Sequence, residues 1–248
     1  MRIDYPAETA ALRQLWKDAF GDDDAFLDRF FRYGYDPKKC RCVFFGSELV
    51  SVLYWLDCKF RGQKLAYLYA IATAPVHRGK GLFRALMEDT HALLARKGYA
   101  GILLVPAKPE LFSMYEKLGY RVCSSVDSLS CSAEMPIPLR KLTADEYARL
   151  RREYLPQDGV LQENAMLAFL ESYSGLYAGE DFLLAGYGEN GVFHGSELLG
   201  NPAAAPGILA ALGMEKGSFR IPGNAAPFAM YFPLSDLPAP SYFGLAMD

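Results

Sequence analysis

Apolar residues near the start of the chain recur three and four positions apart. Leu12, Leu15, Trp16 and Phe20 share one face of a helix, and Phe26, Leu27, Phe30 and Phe31 line one face of a second. The acidic run at residues 22–24 opens that second helix, where negative charge suits the helix dipole. The period then shortens. Residues 40–60 read as two β-branched and aromatic runs about a turn at Gly46-Ser47, a hairpin. Residues 64–75 form an almost wholly apolar run ending at Pro75, the pattern of a strand covered on both faces. A helix is predicted from Leu82 to Lys97, stopped by Gly98, then a buried strand over 100–107 and a short helix between Pro109 and Gly119. Strand character returns over 120–135 and is read as paired strands. The order predicts an α/β chain in which antiparallel hairpins join a strand–helix–parallel strand unit, so the sheet is mixed.

The composition changes at "EMPIPLRKL", where two prolines precede a new helical segment, and a domain boundary is placed near residue 135. Residues 1–135 and 136–248 are thus expected as two units. The second echoes the first in element order: helices over 143–155 and 162–174, a hairpin around Glu189-Asn190-Gly191, a short helix after Asn201, and strands over 217–223 and 228–234. Its apolar end, "YFGLAMD", suggests a tied-down terminus.

With 248 residues, 51% hydrophobic and 22% charged, the chain can bury a full-sized core. A net charge of −3 argues against a nucleic-acid partner. No apolar run approaches the roughly 20 residues of a membrane helix, and the first residues lack a signal-peptide core, so no membrane association and a cytoplasmic location are expected. Five cysteines and three histidines are dispersed; the Cys40/Cys42 pair has no companion ligands nearby, and no metal is expected.

One stretch carries candidate chemistry. "PVHRGKGLFRAL", residues 75–86, sets Gly79 and Gly81 and the basic Arg78, Lys80 and Arg84 between the buried strand and its helix. A helix start offers main-chain N–H groups without internal partners and partial positive charge, and glycines permit close approach, so the turn suits a pyrophosphate. Glycine and charge are also ordinary loop chemistry. The turn is neither a P-loop nor a dinucleotide fingerprint, since G-x-x-x-x-G-K-[ST] and the third glycine are both absent.

The run "AIATAPVHRGKGLFRALM" resembles the acyl-CoA motif of the GNAT acetyltransferases, R/Q-x-x-G-x-G/A, with Arg78, Gly79 and Gly81 of "HRGKG" best placed. The resemblance implies the GNAT fold, acetyl-CoA as cosubstrate and transfer to a small-molecule or peptide amine. It places Ile71, Ala72 and Thr73 on the strand that pairs with the pantetheine arm. The amides of Gly79, Lys80, Gly81, Leu82, Phe83 and Arg84, with the Arg78 side chain, would hold the pyrophosphate. "YEKLGY" matches a second family motif and puts Tyr115 where many members carry a general acid for the leaving thiolate; alternatively Tyr115 packs on the face it shares with Leu111 and Leu118. The element order matches over residues 1–135, the specific motifs only over 67–120.

Many relatives carry a glutamate on the central strand as base, and "KLAYLYAIATAP" has no acidic residue. Asp57, Glu48, a water chain or the Asp248 carboxylate could serve, the last by similarity to two-domain relatives of the enhanced-intracellular-survival type; or the amine arrives neutral. In the second half the matching turn, "LGNPAAAPGILAAL", has no arginine or lysine and two prolines without N–H donors, which reads as a degenerate GNAT-like unit without a cradle. A catalytically silent CoA-binding module stays open as the other reading. The acyl group, the amine and the oligomeric state cannot be read.

Overall fold

The computed structural model describes residues 1–6 and 8–247. Strand β1 (Arg2–Asp4) precedes helices α1 (Thr9–Phe20) and α2 (Asp24–Arg29). The second predicted helix ends early and continues as one π turn, Phe30–Gly34. There follow the hairpin β2 (Cys40–Phe45) and β3 (Glu48–Phe60), then β4 (Gln63–Thr73), α3 (Leu82–Arg96), β5 (Gly101–Leu104), α4 (Leu111–Glu116) and β6 (Arg121–Ser132). After the proline-bearing junction come β7 (Arg140–Lys141), α5 (Ala144–Tyr154), β8 (Leu161–Gln162), α6 (Ala165–Tyr173), β9 (Gly175–Ala178), β10 (Phe182–Glu189), β11 (Val192–Gly200), α7 (Ala205–Ala211), β12 (Lys216–Pro222) and β13 (Ala226–Pro233). Among the described residues no helix is long and apolar enough to cross a membrane.

The strands form one mixed sheet, ordered β1-β2-β3-β4-β5-β13-β6-β12-β11-β10-β9-β7, with β8 beside β3. The parallel pairs are β4–β5, crossed over by α3, and β11–β12, crossed over by α7, so each half has one strand–helix–parallel strand unit. Paired strands within 120–135 are corrected. Arg121–Ser132 is a single strand, with no glycine, proline or asparagine to turn it. Its partners come from the far end of the chain: β13 along Arg121–Val126 and β12 along Val126–Ser132. Strand β13 also pairs with β5, so residues beyond 135 complete the sheet of the first half, and the sheet does not divide at the junction.

Alternation along β3 sets the layers. Val52, Tyr54, Leu56, Cys58 and Phe60 face α1, α2 and α6, where Phe30 meets Trp16 at a tilt and Phe169 edge-on. Leu53 and Trp55 face α3 and α4, against Leu86, Leu94 and Tyr115. Both faces being covered explains the unalternating run in β4. The segment leading to residue 247 is buried: Phe243 and Leu245 are 0% exposed. It is held by a charged knot. Arg151 makes a two-pronged bond to Glu197 (Nε–Oε2 2.7 Å, Nη2–Oε1 2.9 Å) and donates from Nη1 to the Val160 carbonyl, while the Tyr242 hydroxyl donates to Glu197 at 3.0 Å.

Candidate active site

Strands β4 and β5 are hydrogen-bonded only where Leu65–Tyr67 meets Gly101–Leu103. Beyond that β4 continues along β3 to Thr73, and the two parallel strands part. The bonding with β3 shifts register between the Tyr54–Tyr69 and Val52–Ala72 pairs, so Ala70 and Ile71 bulge opposite Leu53. Ala70 has φ +49°, a left-handed conformation that costs a non-glycine residue about 1–2 kcal/mol. A bulge of this kind leaves its extra residue unpaired in the ladder, here where β4 parts from β5.

At the end of β4, Ala74 N–H donates to the Val50 carbonyl and the chain makes a tight turn at Pro75–His77. Gly79 and Gly81 take φ +74° and +75°, with open space where a Cβ would stand. Gly81 precedes α3 and no side chain caps that helix, so its first-turn amides have no side-chain acceptor. A cavity of about 380 Å³ lies over them, lined by Thr73, Arg78, Gly79, Gly81 and Arg84 and, from the end of α4, Lys117. Arg78 Nε donates to the Thr73 carbonyl at 3.2 Å, tying the guanidinium to the turn. Arg84 is exposed beside Glu88. Lys80 does not line this cavity; its ammonium approaches His77 Nδ1 at 3.4 Å. Leu82 is buried in the core, so only its backbone faces the turn, and Phe83 lines the cavity with its ring edge-on to Tyr115.

The expected strand residues separate. Ile71 lines a larger cavity, Thr73 lines the cradle, and Ala72 is 5% exposed with its carbonyl accepting from Ser51 Oγ at 2.7 Å. The larger cavity, about 640 Å³, begins where β4 and β5 part, at Ala70, Ile71, Leu104 and Val105. Tyr115 borders it from α4, held between the rings of Phe83 and Tyr120. Burial pushes its phenol up to about 12, so it stays protonated at neutral pH. Leu111 borders the same cavity, whereas Leu118 borders the cradle. Tyr115 thus stands on the side of α4 between the two spaces.

The opposite end of the cavity comes from α1, α2 and the second half: Trp16, Phe20 and Phe26, then Tyr173, Tyr187 and Met247. Two carboxylates join it, Asp22 from the α1–α2 corner and Glu189 from the tip of the β10–β11 hairpin. Sequence reasoning passed over both, because an acidic helix start and a hairpin turn already accounted for them. It also passed over Lys117. The hairpin carboxylates it did consider are elsewhere. Asp57 accepts from the Tyr99 hydroxyl at 2.6 Å and pairs with Lys39 and Lys64; burial works to raise its carboxyl, but these partners outweigh it and hold it below the ordinary range. Glu48 is exposed beside His77. Asp248 lies outside the described residues.

In the second half the turn before α7 is filled by its own groups. Asn201 accepts from the Ala203 N–H and donates from Nδ2 to Asp181, whose backbone carbonyl also takes the Asn201 N–H. A carboxylate and a self-capped turn leave no room for an anion there.

Residues 5–123 match the family model of the acetyltransferase (GNAT) domain. Among solved structures, the chain is similar in fold to a GCN5-related N-acetyltransferase from Kribbella flavida (17% identity, 93% of this chain and 70% of that one, TM-score 0.69). It is similar also to Eis1 from Mycobacterium abscessus (12%, 94% and 74%, 0.66) and to a GCN5-related N-acetyltransferase from Anabaena variabilis (15%, 94% and 73%, 0.66). No curated protein matches the chain in sequence.

Proposed function

Because the chain carries a GNAT domain over residues 5–123, we propose that it is an N-acyltransferase moving an acetyl group from acetyl-CoA to a primary amine. The observation that carries this is the pair of connected features along β4: an uncapped, glycine-flanked start of α3 with positive charge around it, and a splayed strand whose cavity is bordered by a protonated tyrosine. The residues present fit an acyl-CoA. The amides of α3's first turn, with Arg78, Arg84 and Lys117, would hold its pyrophosphate. Backbone groups of the bulge at Ala70–Ile71 would bond the pantetheine arm and polarise the thioester carbonyl.

Acetyl-CoA supplies the acyl group as a thioester. The free amine forms the new C–N bond as the C–S bond breaks; the amine loses a proton and the sulfur gains one. Tyr115 is placed to supply the sulfur's proton, and burial keeps it in the donating form. In this reading residues 136–248 form a second, degenerate GNAT-like unit that keeps the strand–helix–strand plan, has lost the cradle and walls the acceptor side.

Release of CoA thiol, measured with acetyl-CoA and a panel of primary amines, tests the proposal. Arg78→Glu should weaken acetyl-CoA binding about tenfold or more, since it sets like charge against the pyrophosphate. Tyr115→Phe should lower turnover about 10²-fold with acetyl-CoA affinity nearly unchanged. Tight acetyl-CoA binding with no turnover on any amine would instead favour a CoA-sensing module, and unchanged affinity in Arg78→Glu would remove the cradle.

A further inference from the structure

The two ends of the large cavity differ in chemistry. Where β4 parts from β5 the cavity is lined by Ala70, Ile71, Leu104 and Val105 with Leu111 and Tyr115 of α4 and adjoins the cradle, while Tyr67 and Tyr69 of β4 also line it. The other end is walled by aromatic rings and holds Asp22 and Glu189, brought there by elements more than 160 positions apart in sequence. Among the described residues no lysine, arginine or histidine lines the cavity at all. Among the described residues neither carboxylate is paired with a cation. The neighbours of Asp22, Asp24 and Asp28, are both taken by Arg13, at 3.1 and 2.8 Å, while Asp22 accepts the Trp16 indole N–H at 2.7 Å. That bond fixes the carboxylate against the aromatic wall.

A nitrogen that attacks a thioester must be uncharged, and it must sit at the β4–α4 end, where the acyl group would lie. Carboxylates at the opposite end cannot serve that nitrogen directly. They suit a second, positive charge carried on the same molecule, and the rings between suit an apolar or aromatic spine and can add cation–π attraction. We propose that the acceptor is a dicationic amine with an apolar spine, its distal ammonium held by Asp22 and Glu189, which select for it against neutral and anionic amines. This rests on the acyl-transfer reading for the identity of the reacting end, while the distal site is argued from the cavity alone.

Three para-substituted benzylamines with the same spine separate the charges: p-xylylenediamine, 4-methylbenzylamine and 4-(aminomethyl)benzoate. Their binding to the full chain is measured by calorimetry with CoA present, and acetyl transfer to each is measured separately. The diamine should bind about tenfold more tightly than the methyl compound, and the benzoate more weakly than either. Glu189→Gln, on an exposed hairpin tip, should cut the diamine's advantage about threefold to fivefold; Asp22→Asn, which keeps an oxygen for Trp16, should do the same. Equal binding of the three, no detectable binding of the diamine, or an advantage untouched by both variants would overturn the proposal. Turnover without charge discrimination would sink this inference and leave the transferase reading standing. Discrimination in binding without turnover on any amine would do the reverse.

Discussion

Replacing Arg151 by methionine would test how the segment before Met247 is held against the large cavity. Arg151 is 1% exposed and its partner Glu197 is 0% exposed, so solvent screens neither charge. The Arg151→Met variant loses two charge-assisted bonds to Glu197 and the bond to the Val160 carbonyl. It leaves a buried carboxylate with only the Tyr147 and Tyr242 hydroxyls, at 3.3 and 3.0 Å. Removing one member of a buried pair costs about 3–5 kcal/mol, most of it the orphaned charge. For a chain of this size each kcal/mol lowers Tm by roughly 2–4 °C, so thermal denaturation followed by circular dichroism should show a drop of about 6–20 °C. Adding Glu197→Gln to the same chain removes the charge and keeps an oxygen to accept from Tyr242, and should recover more than half of the loss. A drop under 2 °C in the single variant, or a double variant no more stable than the single, would refute the view that an uncompensated charge is the cost.

Acid should weaken the fold through His91, whose ring stacks on Phe232 at 4.3 Å and shares a 2.8 Å hydrogen bond with Tyr120; burial lowers its pKa to about 4. The unfolded chain therefore takes up this proton first, and stability present above pH ~6.5 should fall by up to about 3 kcal/mol as pH drops toward 4; urea titrations in which His91→Gln shows the same slope would exclude His91 as its source. Gly81→Ala and Gly62→Ala, both at φ near +75° with open space at Cβ, should each lose about 1–2 kcal/mol, but only the Gly81 variant should lose acetyl-CoA affinity; calorimetry showing equal affinity in the two would separate the turn from the cradle.

What could be read in the sequence was whatever neighbours along the chain determine. Leu12, Leu15 and Trp16 report their helix because burial of one helical face repeats every three or four residues. Gly46-Ser47 reports its hairpin, and the glycines at 79 and 81 report a turn that needs positive φ. The bulge at Ala70 left no trace, because its strain is imposed by the divergence of β4 from β5 and is borne by a residue with no preference for it. The pairing of β6 was equally hidden. Its partners lie about a hundred residues on, and nothing local in "RVCSSVDSLSCS" names them. Asp22 and Glu189 were visible as residues but not as a pair, since only the folded sheet sets the α1–α2 corner opposite the β10–β11 tip.

The interleaving of the halves bears on what residues 136–248 contribute to the first half. Strand β5 is four residues long and its outer edge is paired by β13; without that strand the edge would be open and unpaired, and the buried Met230 would leave the layer that holds Tyr115. The aromatic end of the cavity draws Tyr173, Tyr187, Glu189 and Met247 from the same half, and the charged knot at Glu197 fixes the segment that delivers Met247. None of these contributions needs the second turn to bind anything. The turn before α7 is capped by its own Asn201 and stands beside the Asp181 carboxylate, features that disfavour a phosphate. The second half therefore completes the first half's sheet and supplies one wall of the large cavity, while the glycine-flanked turn at residues 78–84 belongs wholly to the first half.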